Sequence, residues 1–265
     1  MTQLSVTAQE NPAMSSKIEE ITLDHPWQWI AKGWNDFTSA PVVSIAYGIL
    51  FFISSIGLTM LVFSSDFFAF VPPLTASFFL IAPILAVGLY DNSRRLENNE
   101  PTGLVHAITT WRRNSFNLTV MGLILMMVLI IWMMVANLVF AVFFNGVSLT
   151  LDDLIPTLFL SGDSPAFLAV GMISGGIIAL IVYSITVISI PMLIDSKANV
   201  LQAIATSVNA VIRNPRPLLL WASLIVMFVG IGLVTFYVAF LVCMPVIGYA
   251  SWHAYRDLVA DADDI

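Results

Sequence analysis

Apolar and polar residues are segregated along this chain into long blocks rather than alternating at short period. After a polar opening stretch come apolar runs at about 41–63, 71–90, 116–144, 165–194 and 216–255. A helix needs about 20 apolar residues to cross the hydrocarbon of a bilayer. The first two runs therefore read as ordinary spans. The third and fourth are long enough to tilt or to project from the bilayer. The last would measure roughly 60 Å as one helix at 1.5 Å per residue. It has to fold back on itself, and the turn falls near Gly232–Val238, where no charge marks it. The pattern predicts an all-α membrane protein with six transmembrane helices.

The segments between these runs have a helical period of their own. Trp27, Ile30, Trp34 and Phe37 recur on one side of residues 27–39, with Gln28, Lys32, Asn35 and Asp36 opposite. Such a helix suits the headgroup layer. Similar short amphipathic helices are expected at about 100–112 and 198–212, with Trp34, Trp111 and Ile204 turned toward the apolar side. Residues 148–160 read as a further interfacial helix on the opposite face. Pro83, Pro191 and Pro245 recur near the ends of the second, fourth and sixth spans, and Asp91 and Asp195 mark two exits. Ala40-Pro41 and Asn214-Pro215 occupy matching positions before two spans. The reading is three units, about 26–98, 99–196 and 197–259, each an interfacial helix followed by a transmembrane hairpin. They form a single membrane domain over 26–259, between a disordered tail at 1–25 and an acidic tail at 260–265.

Composition agrees with a bilayer. Hydrophobic residues make up 58% and charged residues 10%, with a mean hydropathy of +0.91, whereas soluble domains carry about 25% charged residues. The net charge of −7 comes partly from the two ends, and no basic cluster suggests a nucleic-acid partner. The opening residues lack a basic segment followed by an apolar core, so the first span is expected to act as an uncleaved anchor. With six spans, all ten basic residues fall on the side of the two termini. The opposite loops hold Asp66, Asp152, Asp153 and Asp163 and neither Lys nor Arg. The positive-inside rule then places both termini in the cytoplasm, and the expected location is a bacterial inner membrane.

Candidate chemistry is sparse. No Asp, Glu, Lys or Arg lies mid-span, so the groups that mark proton or ion paths are missing. Asp91 and Asp195 are expected to pair with Arg94, Arg95 or Lys197. His106 and His253 fit no metal or haem spacing, and the lone Cys243 sits in an apolar run as a small hydrophobe. No cofactor and no catalytic residue is expected. Gly171, Gly175, Gly176 and Ala179 give the fourth span a smooth small-residue face, suited to close helix packing inside the chain or against a partner. Arg94, Arg95, Arg112, Arg113 and Arg213 flank the interfacial helices and could dock anionic lipid or a partner.

Three sequence pieces carry a resemblance. They are GW-x-DF-x-x-AP-x-x-S-x-x-YG (Gly33 to Gly48), AP-x-x-x-x-GLY-x-x-SRR-x-E (Ala82 to Glu97) and GYASWHAYRDLV (Gly248 to Val259). Over about 26–259 the chain resembles a family of prokaryotic integral membrane proteins catalogued as domain of unknown function 2189. Some members carry the provisional label cytochrome c oxidase subunit. The resemblance implies association with a respiratory oxidase. The paired intramembrane histidines that hold haem in a catalytic subunit are lacking, so the implied role is accessory or in assembly, without enzymatic activity. The competing expectation is a transporter or lipid-handling protein with a cavity between the three hairpins, lined by residues such as Tyr47, Ser54, Asn137, Tyr183 and Ser184.

Overall fold

A computed structural model describes residues 18–63, 82–143 and 164–259. All regular structure among them is helical. The helices are α1 (His25–Ser39), α2 (Pro41–Phe63), α3 (Val87–Glu97), α4 (Leu104–Thr109), α5 (Ser115–Phe143), α6 (Ser164–Thr186), α7 (Ser189–Asp195), α8 (Val200–Arg213), α9 (Pro215–Val234) and α10 (Phe240–Leu258). A 3-10 turn, Thr110–Arg113, joins α4 to α5.

Four apolar segments are long enough to cross a membrane: Pro41–Met60, Ser115–Phe143, Pro165–Asp195 and Pro215–Val234. They coincide with four of the expected spans. The run at 71–90 is described only from Ala82 onward, and the interfacial helix expected at 148–160, the loop at 64–70 and the acidic tail at 260–265 lie outside the described residues. The sixth expected span, α10, is a continuous helix, but its last two turns carry Trp252, His253, Tyr255, Arg256 and Asp257 and fall short of the apolarity of the other four.

α10 is instead the buried axis of the fold. Phe240, Tyr249, Ala250, Trp252, Ala254, Tyr255 and Leu258 on it are all fully enclosed. It packs mainly against α1 and α2, and glycines set the approach. A Cβ on Gly33 would stand 2.8 Å from both Ala250 N and Val246 O, so α1 rests on the α10 backbone itself. Gly48 of α2 lies closer still to the Leu241 carbonyl.

The turn between α9 and α10 falls where the apolar run predicts it. Tyr237 N donates to Gly232 O at 2.7 Å and Phe236 N to Leu233 O at 3.2 Å, the pair of bonds of a Schellman ending. Phe236 and Tyr237 take φ of 52° and 68°, where glycine is the ordinary occupant. The Tyr237 hydroxyl is tied to Thr59 Oγ1 at 2.8 Å.

The fourth run is broken, which the sequence pattern does not anticipate. Pro191 lacks the N–H that would bond to the carbonyl of Val187, and a proline ring crowds that carbonyl. The helix interrupts at Val187 and Ile188. Ser207 of α8 enters the gap: its hydroxyl accepts from Ile188 N at 3.3 Å and donates to Ser184 O at 2.7 Å, bridging the two groups that a continuous helix would pair. Pro83 precedes a turn at Ala86, whereas Pro191 follows its break.

Three junctions share one geometry. Ala40, Asn114 and Asn214 stand before α2, α5 and α9 with (φ, ψ) of (−126°, 60°), (−145°, 55°) and (−121°, 52°). Each carbonyl accepts from the N–H four residues on, at Ser44, Leu118 and Leu218. The polar tail expected through residue 25 gives way at Ile18. Ile18 pairs with Val259, Glu19 N donates to Leu258 O at 3.0 Å, and Ile21 N donates to Asn214 Oδ1 at 2.9 Å. The described chain thus begins and ends at the same place.

Candidate functional site at the arginine-bearing end

Each of the five side chains Trp252, His253, Tyr255, Arg256 and Asp257 ties α10 to another element. Trp252 Nε1 donates to Glu97 Oε2 at 3.0 Å, and Arg256 Nε meets Glu97 Oε1 at 3.3 Å. Tyr255 OH donates to Asp195 Oδ2 at 3.0 Å, and Arg256 also lies 3.5 Å from that oxygen. Asp257 accepts from Trp29 Nε1 at 2.7 Å and pairs with Lys32 at 3.3 Å. His253 Nε2 lies 2.9 Å from Asp36 Oδ2, which also accepts from Ser93 Oγ. One helix end therefore clamps α1, α3 and α7 together.

A second cluster centres on Asp91, whose side chain is 1% exposed. Arg95 Nε reaches it at 2.8 Å, Arg94 at 3.0 Å and Arg113 at 3.6 Å, and Glu100 stands within 3.4 Å of Arg94 and Arg95. Burial by itself would raise the Asp91 carboxyl. The hydrogen bonds and charges of Arg95 and Arg94 outweigh it and hold the group below the ordinary carboxylate value. Beneath these charges lies a neutral layer. Asn92 Nδ2 donates to Tyr249 OH at 3.1 Å, and that hydroxyl shares a 3.0 Å bond with Ser44 Oγ.

The arrangement holds helices together. A nucleophilic triad sets the imidazole between carboxylate and hydroxyl. Here the Asp36 carboxylate sits between Ser93 and His253, so the imidazole does not face the serine. Among the described residues, no three His, Cys, Asp or Glu side chains converge as metal ligands.

The expected site residues fall in two places. Arg94 and Arg95 turn inward, at 11% and 17% side-chain exposure, on Asp91 and Glu100. Arg113 is half exposed on the edge of the same cluster, while Arg112 and Arg213 face outward. Asp91 takes both of its near arginines, as the spacing suggests, but Asp195 pairs with Arg256 and Tyr255 across the fold rather than with Lys197. On α1 the buried face is Pro26, Trp29, Gly33 and Asp36, while Trp27 and Trp34 point away from the protein. Asp36 is thus a core residue rather than a water-facing one. Trp111 and Ile204 are partly buried against the core.

Gly171, Gly175, Gly176 and Ala179 border a cavity of about 840 Å³ among α2, α5, α6, α9 and α10. A Cβ on Gly175 would meet the Trp132 ring at 2.9 Å, but one on Gly171 or Gly176 would meet nothing within 4 Å. Of the polar residues expected to line a cavity, Tyr183 does so; Tyr47, Ser54, Asn137 and Ser184 stand elsewhere.

All three resemblance motifs meet at this end. Gly33 and Asp36 come from the first, Ser93 and Glu97 from the second, Trp252 to Asp257 from the third. Residues 70–195 match the family model of a predicted integral membrane protein, DUF2189. That is the family the motifs resemble. The matched stretch includes the Asp91 cluster, α5, α6 and α7, and stops before α10. Among curated proteins and among solved structures, nothing matches the chain.

Proposed function

We propose that this integral membrane protein is a six-span, non-enzymatic accessory or assembly component of a larger membrane complex, with both termini on the cytoplasmic side of a bacterial inner membrane. The adjacency of Ile18 and Val259 supports an even number of crossings. The ten basic residues supply the orientation. The three alike junctions support the reading of three hairpin units. Arg112 and Arg213 are the arginines suited to anionic headgroups, since they face outward at the ends of interfacial helices.

One observation carries the accessory reading. α5 is a 29-residue apolar helix, and only 6% of its most apolar 18-residue stretch is buried by the rest of the chain, against 56% for the corresponding stretch of Pro165–Asp195. A helix that packs so little of its length at home has a face free for helices of another protein. The label that some members of the resembled family carry favours a respiratory complex as the partner. A photo-crosslinking residue at Met134 or Leu138, both outward on α5, tests this in native membranes. The expected result is an adduct with one membrane protein of defined mass, lost when the crosslinker is moved to the enclosed Met121. An adduct with lipid alone at both outward sites refutes the reading, and one at twice the mass of the chain replaces it with self-association.

A further inference from the structure

Only part of the small-residue face of α6 serves helix contact: Gly175 lies against the Trp132 ring of α5. Gly171, Gly176 and Ala179 line open space, and among the described residues Gly171 and Gly176 have no neighbour where a Cβ would be. What their missing side chains create is room. The cavity extends along α6 from Gly171 to Val187, roughly 24 Å at 1.5 Å per residue, against a hydrocarbon thickness of about 30 Å. Its volume of about 840 Å³ lies in the range of small-molecule sites, about 300–1,000 Å³.

The mouth faces lipid. Met172, Leu180, Leu219 and Val226 belong to the cavity wall and also to the exposed apolar surface of the spans. The hydroxyls along the wall are committed: Tyr183 donates to Leu218 O, Thr186 to Val182 O, Ser223 to Leu219 O and Ser251 to Ile247 O. Tyr90 is the exception. It lines the cavity, its side chain belongs to a residue only 4% exposed, and its hydroxyl has no partner among the described residues. A hydroxyl on a cavity wall can donate to an acceptor placed inside it. It stands one residue before Asp91, at the arginine-bearing end, while the Gly171 end lies toward the opposite face.

We infer that this cavity holds an acyl chain of a bilayer glycerophospholipid, with its ester carbonyl accepting from Tyr90 OH and its chain running along α6 toward Gly171. An amphiphile in the leaflet on the arginine side has its carbonyl and its chain in that order. The inference rests on the membrane-spanning reading but not on any protein partner.

Gly176→Leu and Ala179→Leu together fill the chain path with side chains. The control is Gly57→Leu, on α2, where a Cβ also meets nothing within 4 Å among the described residues and which does not line this cavity. Protein stripped of lipid by detergent exchange is titrated with palmitoyl-oleoyl phosphatidylglycerol and read by native mass spectrometry and by thermal shift. The parent and Gly57→Leu take up one tightly held lipid and gain stability on titration. The filled variant, folded by its own unchanged or higher midpoint, takes up none, and Tyr90→Phe binds about three- to tenfold more weakly. Equal lipid uptake by the filled variant and the parent overturns the inference, as does loss of uptake by Gly57→Leu alongside it. Crosslinking from α5 to a partner is unaffected by either outcome.

Discussion

Replacing Asp91 by Asn keeps the shape of the side chain and removes its charge from beneath three arginines. Removing one partner of a buried ion pair costs about 3–5 kcal/mol, because the remaining charge stays desolvated. Two features of the site reduce that figure. Glu100 remains within 3.4 Å of both Arg94 and Arg95, and Arg113 is 42% exposed, so its share is that of a surface pair, about 0–1 kcal/mol. The expected loss is about 2–4 kcal/mol. For a protein of this size 1 kcal/mol moves the unfolding midpoint by about 2–4 °C, so the midpoint falls by roughly 5–15 °C. Heating detergent-solubilised parent and variant in parallel, followed by size-exclusion chromatography of the surviving fraction, measures this under one ramp.

The pH dependence follows from the sign of the shift. The Asp91 carboxyl is held below its ordinary value of 3.8. Its stabilising contribution is therefore fully present above that value and is lost as the pH falls through the lower folded value. The parent should exceed Asp91→Asn by a constant margin between pH 5 and 8, and the margin should close in stronger acid. A variant midpoint within about 1 °C of the parent at neutral pH would refute the reasoning, because it would mean that the arginines were never desolvated around this carboxylate.

Gly33→Leu should destabilise by at least about 1–3 kcal/mol, since its Cβ meets two backbone atoms of α10 that cannot rotate away; Gly57→Leu, with no neighbour, should stay within about 0.5 kcal/mol in the same melting assay. His253→Gln retains an N–H for Asp36 and should cost less than about 1.5 kcal/mol. His253→Leu leaves Asp36 with Ser93 alone and should cost about 1–3 kcal/mol, and a leucine variant as stable as the parent would remove His253 from the clamp.

The spans were legible because the bilayer imposes a length on them. The boundaries Pro41–Phe63 and Ser115–Phe143 follow from where apolar residues start and stop, and the α9–α10 turn follows from excess length alone. The clamp was not legible, for two reasons. Faces on α1 were divided by polarity, which sends Asp36 to water. Yet Trp29, Gly33 and Asp36 follow the i, i+4, i+7 spacing of a single helix face, and a glycine between an indole and a carboxylate on one face was the available signal for close packing. Partners for the carboxylates were sought nearby in sequence. This works for Asp91, whose nearest arginines are one turn away, and fails for Asp195, whose partner Arg256 comes from α10. The interruption at Val187 needed Pro191 together with the inserted Ser207, a contact no local pattern encodes.

The position of the motifs bears on how function should be sought. Asp36, Ser93, Glu97 and the Trp252–Asp257 side chains named above are spent on joining α10 to α1, α3 and α7, through one another and through Asp195, Trp29 and Lys32. Arg94 and Arg95 illustrate the consequence. They count toward orientation in the membrane, yet each is also an inward strut on Asp91, so a variant at either position changes topology signals and fold stability together. Loss of activity in such a variant cannot be assigned to docking. The separable positions are those the motifs leave out: Arg112 and Arg213 at the surface, the outward face of α5, and the wall of α6 at Gly171, Gly176 and Ala179. A side chain altered there meets lipid, partner or empty space rather than the clamp, so a functional change that appears with an unchanged melting midpoint can be attributed to what the protein binds.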